Sequence, residues 1–391
     1  MSDSASSWLS DDLQAMVWAD DAPQYWQMLS EKPPLRHGDT VFVCSGAAVM
    51  TALQNAAVFS SGPKANFLGS ETGLIPLQID PPKHVEYRKM LDLLFAPRQV
   101  ARLADDITGL ANTCIDGFID RGTCDFSTEF AVPYPTATFL RLLGLPFSQL
   151  HEFLQLKDDI IRPDGSTVEE TTAVRTVAGR AINTIFDRAL TQSQREPGED
   201  ILGYLVGREA DGRLERQESV NICFLLFLAG LDTVTGTLEA SFAMLARQPD
   251  LRRALVDDAA LIPSAVEELL RWSVNSPVQS RIATEDFDLH GCPIAKGDKV
   301  KLVNGVVNFD PDQIADPLVV DLGREQNRHA SFGLGVHRCL GSHLARLELR
   351  IAVAEWHRRI PDYRLADDRP IAYSQMLREI RHLPMVFSAA G

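Results

Sequence analysis

Apolar residues recur at helical spacing along most of this chain, and the interruptions mark its connections and its few strands. Residues 1–30 read as a loosely structured lead-in with a short amphipathic helix over 11–19. Residues 40–43 alternate as a strand and 46–54 as a helix. Residues 60–82 are rich in Gly, Pro and Ser but carry apolar Phe67, Leu68, Leu74, Ile75 and Leu77. A loop of that length inside a compact protein points to function. Helical periodicity resumes at His84 and covers 99–121, 135–142, 147–161 and 167–193, with a further start at 200–206. The polar stretch 208–217 leads into an unusually long apolar helix, 219–247, stopped by Pro249. Helices over 251–257 and 262–272 are followed by strands at 278–283, 287–289 and 300–303, with a turn at Lys296-Gly297-Asp298. A loop-rich region, 309–337, precedes a last long helix predicted over 339–360, and the tail 363–387 reads as short strands and turns. The expected fold is mainly α with a small β-rich region, one unit over residues 1–391 without repeats.

Charge and cysteine usage remove several classes. Across 391 residues, 53 Asp and Glu outweigh 38 Lys and Arg, a net charge of -15. Phosphate contact needs concentrated cations, so no nucleic-acid partner is expected. The start of the chain lacks a basic segment followed by an apolar run, and no stretch reaches the ~18 apolar residues of a membrane span. A soluble, cytoplasmic, monomeric protein is the expectation. The six cysteines contain no Cys-x-x-Cys pair, which leaves zinc fingers and cysteine-held iron–sulfur clusters without support.

One cysteine stands in a specific setting: Phe332-Gly333-Leu334-Gly335-Val336-His337-Arg338-Cys339-Leu340-Gly341. Glycines on both sides permit a tight turn and close backbone approach to a flat group. Placed at the start of the 339–360 helix, Cys339 would meet free amides that favour a thiolate. The stretch resembles the Phe-x-x-Gly-x-x-x-Cys-x-Gly signature of the cytochrome P450 family, in its bacterial form. The resemblance implies a P450 fold holding haem b (iron protoporphyrin IX), with Cys339 as its axial iron ligand. It also implies that Phe332 packs near the sulfur, that Gly333, Gly335 and Gly341 shape the loop, and that His337 holds a haem propionate.

Other segments extend the resemblance from about residue 80 to the C-terminus. In the long helix, Gly230 costs about 1 kcal/mol relative to Ala and calls for a reason. Asp232 and Thr233 are polar in apolar surroundings, and a Thr can bond to a carbonyl one turn back and distort the helix. They resemble the family's acid–alcohol pair, which serves dioxygen activation and proton supply. Glu268 and Arg271 share a helix face and resemble the family's structural pair, with Arg324 a better third member than Arg328. His84 and Arg88, one turn apart, and Arg281 resemble its propionate-binding residues. Asn308-Phe309-Asp310 departs from the common Asn-Arg-Asp.

The resemblance implies a monooxygenase that inserts one atom of dioxygen into a C–H or double bond. Electrons would come from NAD(P)H through a ferredoxin reductase and a small ferredoxin with a two-iron, two-sulfur or similar cluster. That ferredoxin would dock on a basic rim of Lys83, Lys89, Arg338, Arg346 and Arg350. Phe67, Leu68, Leu74, Leu77, Leu226, Ala229, Pro277, Val278 and Met376 fall where the resemblance places pocket walls, which favours a small hydrophobic substrate such as a terpenoid or aromatic. A peroxide-driven peroxygenase would replace the acid–alcohol pair, and a haem sensor would not need it.

Overall fold

The helix starts read from sequence carry their own capping chemistry. Thr167 accepts from the Glu170 amide in a reciprocal capping box, and Asp200 accepts from the Gly203 amide. The computed structural model describes residues 19–65, 68, 73–374 and 377–388. Most of the expected 11–19 helix, Phe67 and Met376 lie outside that range. Among the described residues the helices are α1 (Ala22–Ser30), α2 (Gly46–Gln54), α3 (Lys83–Leu91), α4 (Pro97–Val100) and α5 (Ala104–Asp116). They continue as α6 (Pro133–Leu143), α7 (Leu150–Ile161), α8 (Val168–Arg195), α9 (Ile201–Ala210) and α10 (Arg216–Arg247). The last four are α11 (Pro249–Asp257), α12 (Ile262–Ser273), α13 (Gly305–Phe309) and α14 (Ser342–Arg359).

The strands are β1 (Leu35–His37), β2 (Thr40–Val43), β3 (Phe59–Ser60), β4 (Thr123–Asp125) and β5 (Val278–Ala283). They end with β6 (Phe287–Leu289), β7 (Cys292–Ile294), β8 (Lys299–Val303), β9 (Tyr363–Leu365) and β10 (Pro384–Phe387). A five-stranded sheet runs β1-β2-β8-β5-β3, with β2 and β8 parallel and its other pairs antiparallel. A three-stranded sheet, β4-β10-β9, and the hairpin β6-β7 complete the β-rich part. The fold is therefore mainly helical with a smaller β region, as expected. Pro249 does more than stop α10: it occupies the first turn of α11, where its missing N–H costs nothing. Residues 208–217 are partly helical, because α9 runs to Ala210 and α10 begins at Arg216.

Helix α10 belongs to two cores. Its first part, through Leu231, packs with α7, α8 and α9; its second, from Val234, packs with α5, α12 and α14. Asp232 and Thr233 sit at the seam between them. By length and composition α10 could cross a membrane, contrary to the sequence expectation, yet 83% of its apolar window is buried. It is a core helix.

Glu268 and Arg271 are fully buried on α12. Arg271 donates twice to the Glu268 carboxylate (2.8 and 2.7 Å) and to the carbonyls of Asn308, Pro317 and Val319. Arg324 Nε (3.1 Å), Asn327 Nδ2 (2.9 Å) and the Asp321 amide (3.0 Å) also donate to Glu268. Removing one partner of a buried charge pair leaves the other uncompensated. Arg271→Met is expected to lower stability by about 3–5 kcal/mol, and Arg324→Met by about 1–2 kcal/mol. Urea midpoints measured on both variants check this order, and equal losses would contradict it.

Candidate functional site

The cysteine loop is anchored from α12 and α13 before it turns. Asn308, fully buried, accepts from the Ala330 amide (2.7 Å) and donates to Ser331 Oγ (2.8 Å) and the Arg271 carbonyl (2.9 Å). The Gly333 amide then donates to the Ala330 carbonyl, and the Cys339 amide to the Phe332 carbonyl, each at 2.8 Å. Gly335 has a φ of +69°, and a Cβ there would lie 2.5 Å from the Leu53 carbonyl oxygen. Only glycine fits. Gly333 is also left-handed, whereas Gly341 is neither left-handed nor crowded.

Helix α14 begins at Ser342 with Gly341 as its N-cap, so Cys339 precedes the helix instead of starting it. The Gly341 amide still faces the thiol. Burial raises the Cys339 pKa, against that amide and the charges of Arg88, Arg338 and Arg346. The loop thus steadies an anion without producing one unaided; a coordinated cation would complete the deprotonation. Cys339 is nonetheless accessible, unlike Cys44, Cys124 and Cys223.

Behind the loop, the Arg346 guanidinium lies 4.5 Å above the Phe332 ring and binds Glu267 through two 2.7 Å contacts. His329 Nε2 sits 3.2 Å from the same carboxylate. Burial alone would raise the Glu267 pKa, but the His329 and Arg346 contacts outweigh it and bring it to about 2. Arg346 is therefore turned to the loop, not free on a docking rim. Lys83 is likewise paired, with Glu218 at 2.8 Å. Lys89, Arg338 and Arg350 remain exposed.

Four nitrogen-bearing side chains gather beside the loop. The His84 and His337 rings are 4.3 Å apart, and both ring nitrogens of His84 and Nε2 of His337 are buried without a hydrogen-bond partner. Burial and the Arg88 charge lower the His84 pKa. Burial, His84 and Arg281 bring His337 to about 4. Arg281 is buried with only neutral acceptors, Ser280 O and Gln279 Oε1, and burial lowers its pKa to about 10. Arg88 donates to the Arg338 carbonyl at 2.8 Å and pairs with Asp92. Unmatched buried donors of this kind suit an anionic group. A macrocycle with two propionates above an accessible thiol fits these residues.

Helix α10 shows the complementary feature. It is buried almost all round, but Leu226, Ala229, Gly230 and Thr233 are accessible. Their spacing puts them on one helical face. Thr233 Oγ1 donates to the Ala229 carbonyl at 2.7 Å. A Cβ on Gly230 would lie 3.2 Å from the Phe139 ring. Asp232 points elsewhere, fully buried and paired with Lys157 Nζ of α7 at 2.7 Å. Burial raises its pKa even against that ammonium. Lys157 also meets Asp158 at 3.2 Å, Asp158 pairs with Arg162, and Arg162 with Glu379. Sequence gave no signal for Lys157, which lies far from Asp232 along the chain.

Leu68, Leu74 and Pro277 are buried, Leu77 is exposed, and Val278 lines a separate large cavity that includes neither Cys339 nor Thr233. Among the described residues no group of three His, Cys, Asp or Glu could hold a metal; a single thiolate beneath a macrocycle needs none. A family model described as Cytochrome P450 matches residues 142–356. The chain is 34% identical over 351 residues to a steroid C26-monooxygenase of Mycolicibacterium smegmatis, covering 88% of this chain and 86% of that one. It is 34% identical over 291 residues to a vitamin D3 dihydroxylase of Streptomyces griseolus, covering 74% and 70%. The structure of CYP109E1 from Bacillus megaterium in complex with testosterone superposes with a TM-score of 0.87 at 25% identity, over 94% of this chain and 98% of that chain.

The Glu267 contacts carry a pH signature. Its folded pKa, about 2, lies below the ordinary 4.5, so its contribution is complete above pH 4.5 and fades as pH falls toward 2. Glu267→Gln is expected to cost up to about 3 kcal/mol at pH 7. The gap from the unsubstituted protein should close between pH 4.5 and 2 in denaturation curves. A gap that stays constant over that range would refute the linkage.

Proposed function

The chain belongs to the cytochrome P450 family, and on that premise we propose a haem-thiolate monooxygenase in which Cys339 would hold the haem iron. The observation that carries the proposal is the convergence of an accessible, amide-capped Cys339 with unpartnered buried nitrogens on His84 and His337. When bound, haem supplies dioxygen activation: one oxygen atom enters the substrate and the other leaves as water, with two electrons and two protons consumed.

The remaining chemistry falls to this chain's own residues. His84, Arg88, Arg281 and His337 would hold the propionates, and Phe332 would shield the sulfur. Thr233, on the accessible face of α10, would donate a proton by turning its hydroxyl from the Ala229 carbonyl. Asp232 would resupply it after release from Lys157, whose ion pair with the partly exposed Asp158 leads outward. Leu226 and Ala229 form an apolar floor on that face. With relatives named for a steroid and for vitamin D3, this supports a hydrophobic, terpenoid-type substrate. Electrons would arrive from a small ferredoxin and its NAD(P)H-dependent reductase, docking near Arg338 with Lys89 and Arg350; charge complementarity would speed that encounter.

Two outcomes test this function. The reduced carbon-monoxide complex should absorb at the strongly red-shifted position of a thiolate ligand, and Cys339→Ser should abolish that band; its survival would exclude Cys339. Thr233→Ala should keep consuming NADH while diverting it to peroxide, and Asp232→Asn should slow turnover with substrate binding retained. Product formed per NADH is the measurement, and unchanged coupling with unchanged turnover would remove both residues from the proton route.

A further inference from the structure

A cavity of about 990 Å³ lies apart from the cysteine loop: Val278 lines it, but Cys339, Thr233 and His84 do not. Strand β5 separates the two, because its alternate residues face opposite ways. Gln279 and Arg281 bond to each other at 3.0 Å, and Gln279 lies beside Gly333 of the loop. Val278 and Ser280 instead line the cavity with Val303 and Lys301, their partners in register on β8. The ends of α7 and α8 and the C-terminal segment close the other sides.

The cavity's charge reverses that of the chain. In a protein with 53 acidic and 38 basic residues, the wall presents Arg162, Arg175, Lys301, Arg369 and Arg381 against one carboxylate, Asp367. Arg162 is matched by Asp158 and Glu379, Arg369 by Asp367, and Arg381 is exposed to solvent. Arg175 and Lys301 differ. Both are partly buried, and their described partners are neutral: the Ile160 carbonyl at 2.9 Å and the Ser280 hydroxyl at 2.7 Å. Burial lowers both pKa values, and Lys299 adds to the effect on Lys301. Desolvated cations without a countercharge are costly, and a bound anion offsets that cost. Ile161, Val278, Val303 and Ile371 make the adjoining wall apolar.

We propose that this cavity binds an amphipathic carboxylate, with its head group at Arg175 and Lys301 and its apolar body along Ile161, Val278, Val303 and Ile371. A small inorganic anion would leave the apolar wall uncovered, and a neutral lipid would leave the two cations unmatched. The site does not depend on the thiolate assignment, and its ligand is distinct from the oxidised substrate.

Calorimetric titration of the haem-loaded full chain with dodecanoate, 1-dodecanol and inorganic phosphate tests the proposal. Dodecanoate should bind at least about ten-fold more tightly than either comparison compound, the scale of one charge-assisted hydrogen bond. Lys301→Met and Arg175→Met should each weaken dodecanoate about ten-fold and leave dodecanol unchanged, while Lys301→Arg should retain the acid. Cys339→Ser should leave dodecanoate affinity intact, so loss of the haem assignment and loss of this site read differently. Equal affinity for acid and alcohol, phosphate binding as tight as dodecanoate, or indifference to both methionine substitutions would overturn it.

Discussion

A carboxylate with no exposed surface must be surrounded by donors or it destabilises the fold that buries it. Glu268 meets that condition with Arg271, Arg324, Asn327 and the Asp321 amide. Those donors come from α12 and from the irregular chain after α13, so satisfying one buried charge sets the course of a segment with little regular structure. Arg271 extends the constraint to the Asn308 carbonyl, and Asn308 in turn grips Ala330 and Ser331. The cysteine loop starts from that grip. Its shape is a downstream result of the ion pair, reinforced on the other flank by Glu267 and Arg346.

Elements with local causes were legible in the sequence. The ranges 40–43 and 46–54 agree with β2 and α2, since alternation and helical period are short-range signals. The start of the last helix was placed three residues early, at 339 instead of Ser342, because capping by Gly341 leaves no mark in periodicity. The break between α10 and α11, the single residue Gln248, read as a plain stop because proline both ends and opens helices. β7 was missed because its middle residue is Pro293, which argues against a strand in sequence.

The site was legible where it is linear and obscure where it is assembled across the fold. The cysteine loop and the Glu268–Arg271 pair are linear motifs, and His84, Arg88 and Arg281 were singled out through the family resemblance. Lys157 and Glu267 have no such signature, because their roles depend on what the fold brings against them. Glycines show the same divide. Gly230 drew attention within a polar motif, yet its added Cβ would stand 3.2 Å from a single ring; at Gly236 it would stand 1.8 Å from Asn275 Nδ2 and 2.6 Å from the Arg378 carbonyl. The stricter requirement lies at the less conspicuous residue, where the chain leaving α12 and the C-terminal segment cross α10.

The ion pair between Asp232 and Lys157 joins helices that approach only through the fold, and so it couples a proton to a mechanical degree of freedom. Drawing α7 outward takes the ammonium from Asp232 and strengthens the carboxylate's hold on a proton. By reciprocity, a proton on Asp232 weakens the tie to α7 by the same free energy. Opening of that side of the molecule and acidity at the centre of α10 are two readings of one equilibrium, so whatever moves α7 also resets how readily the interior accepts a proton.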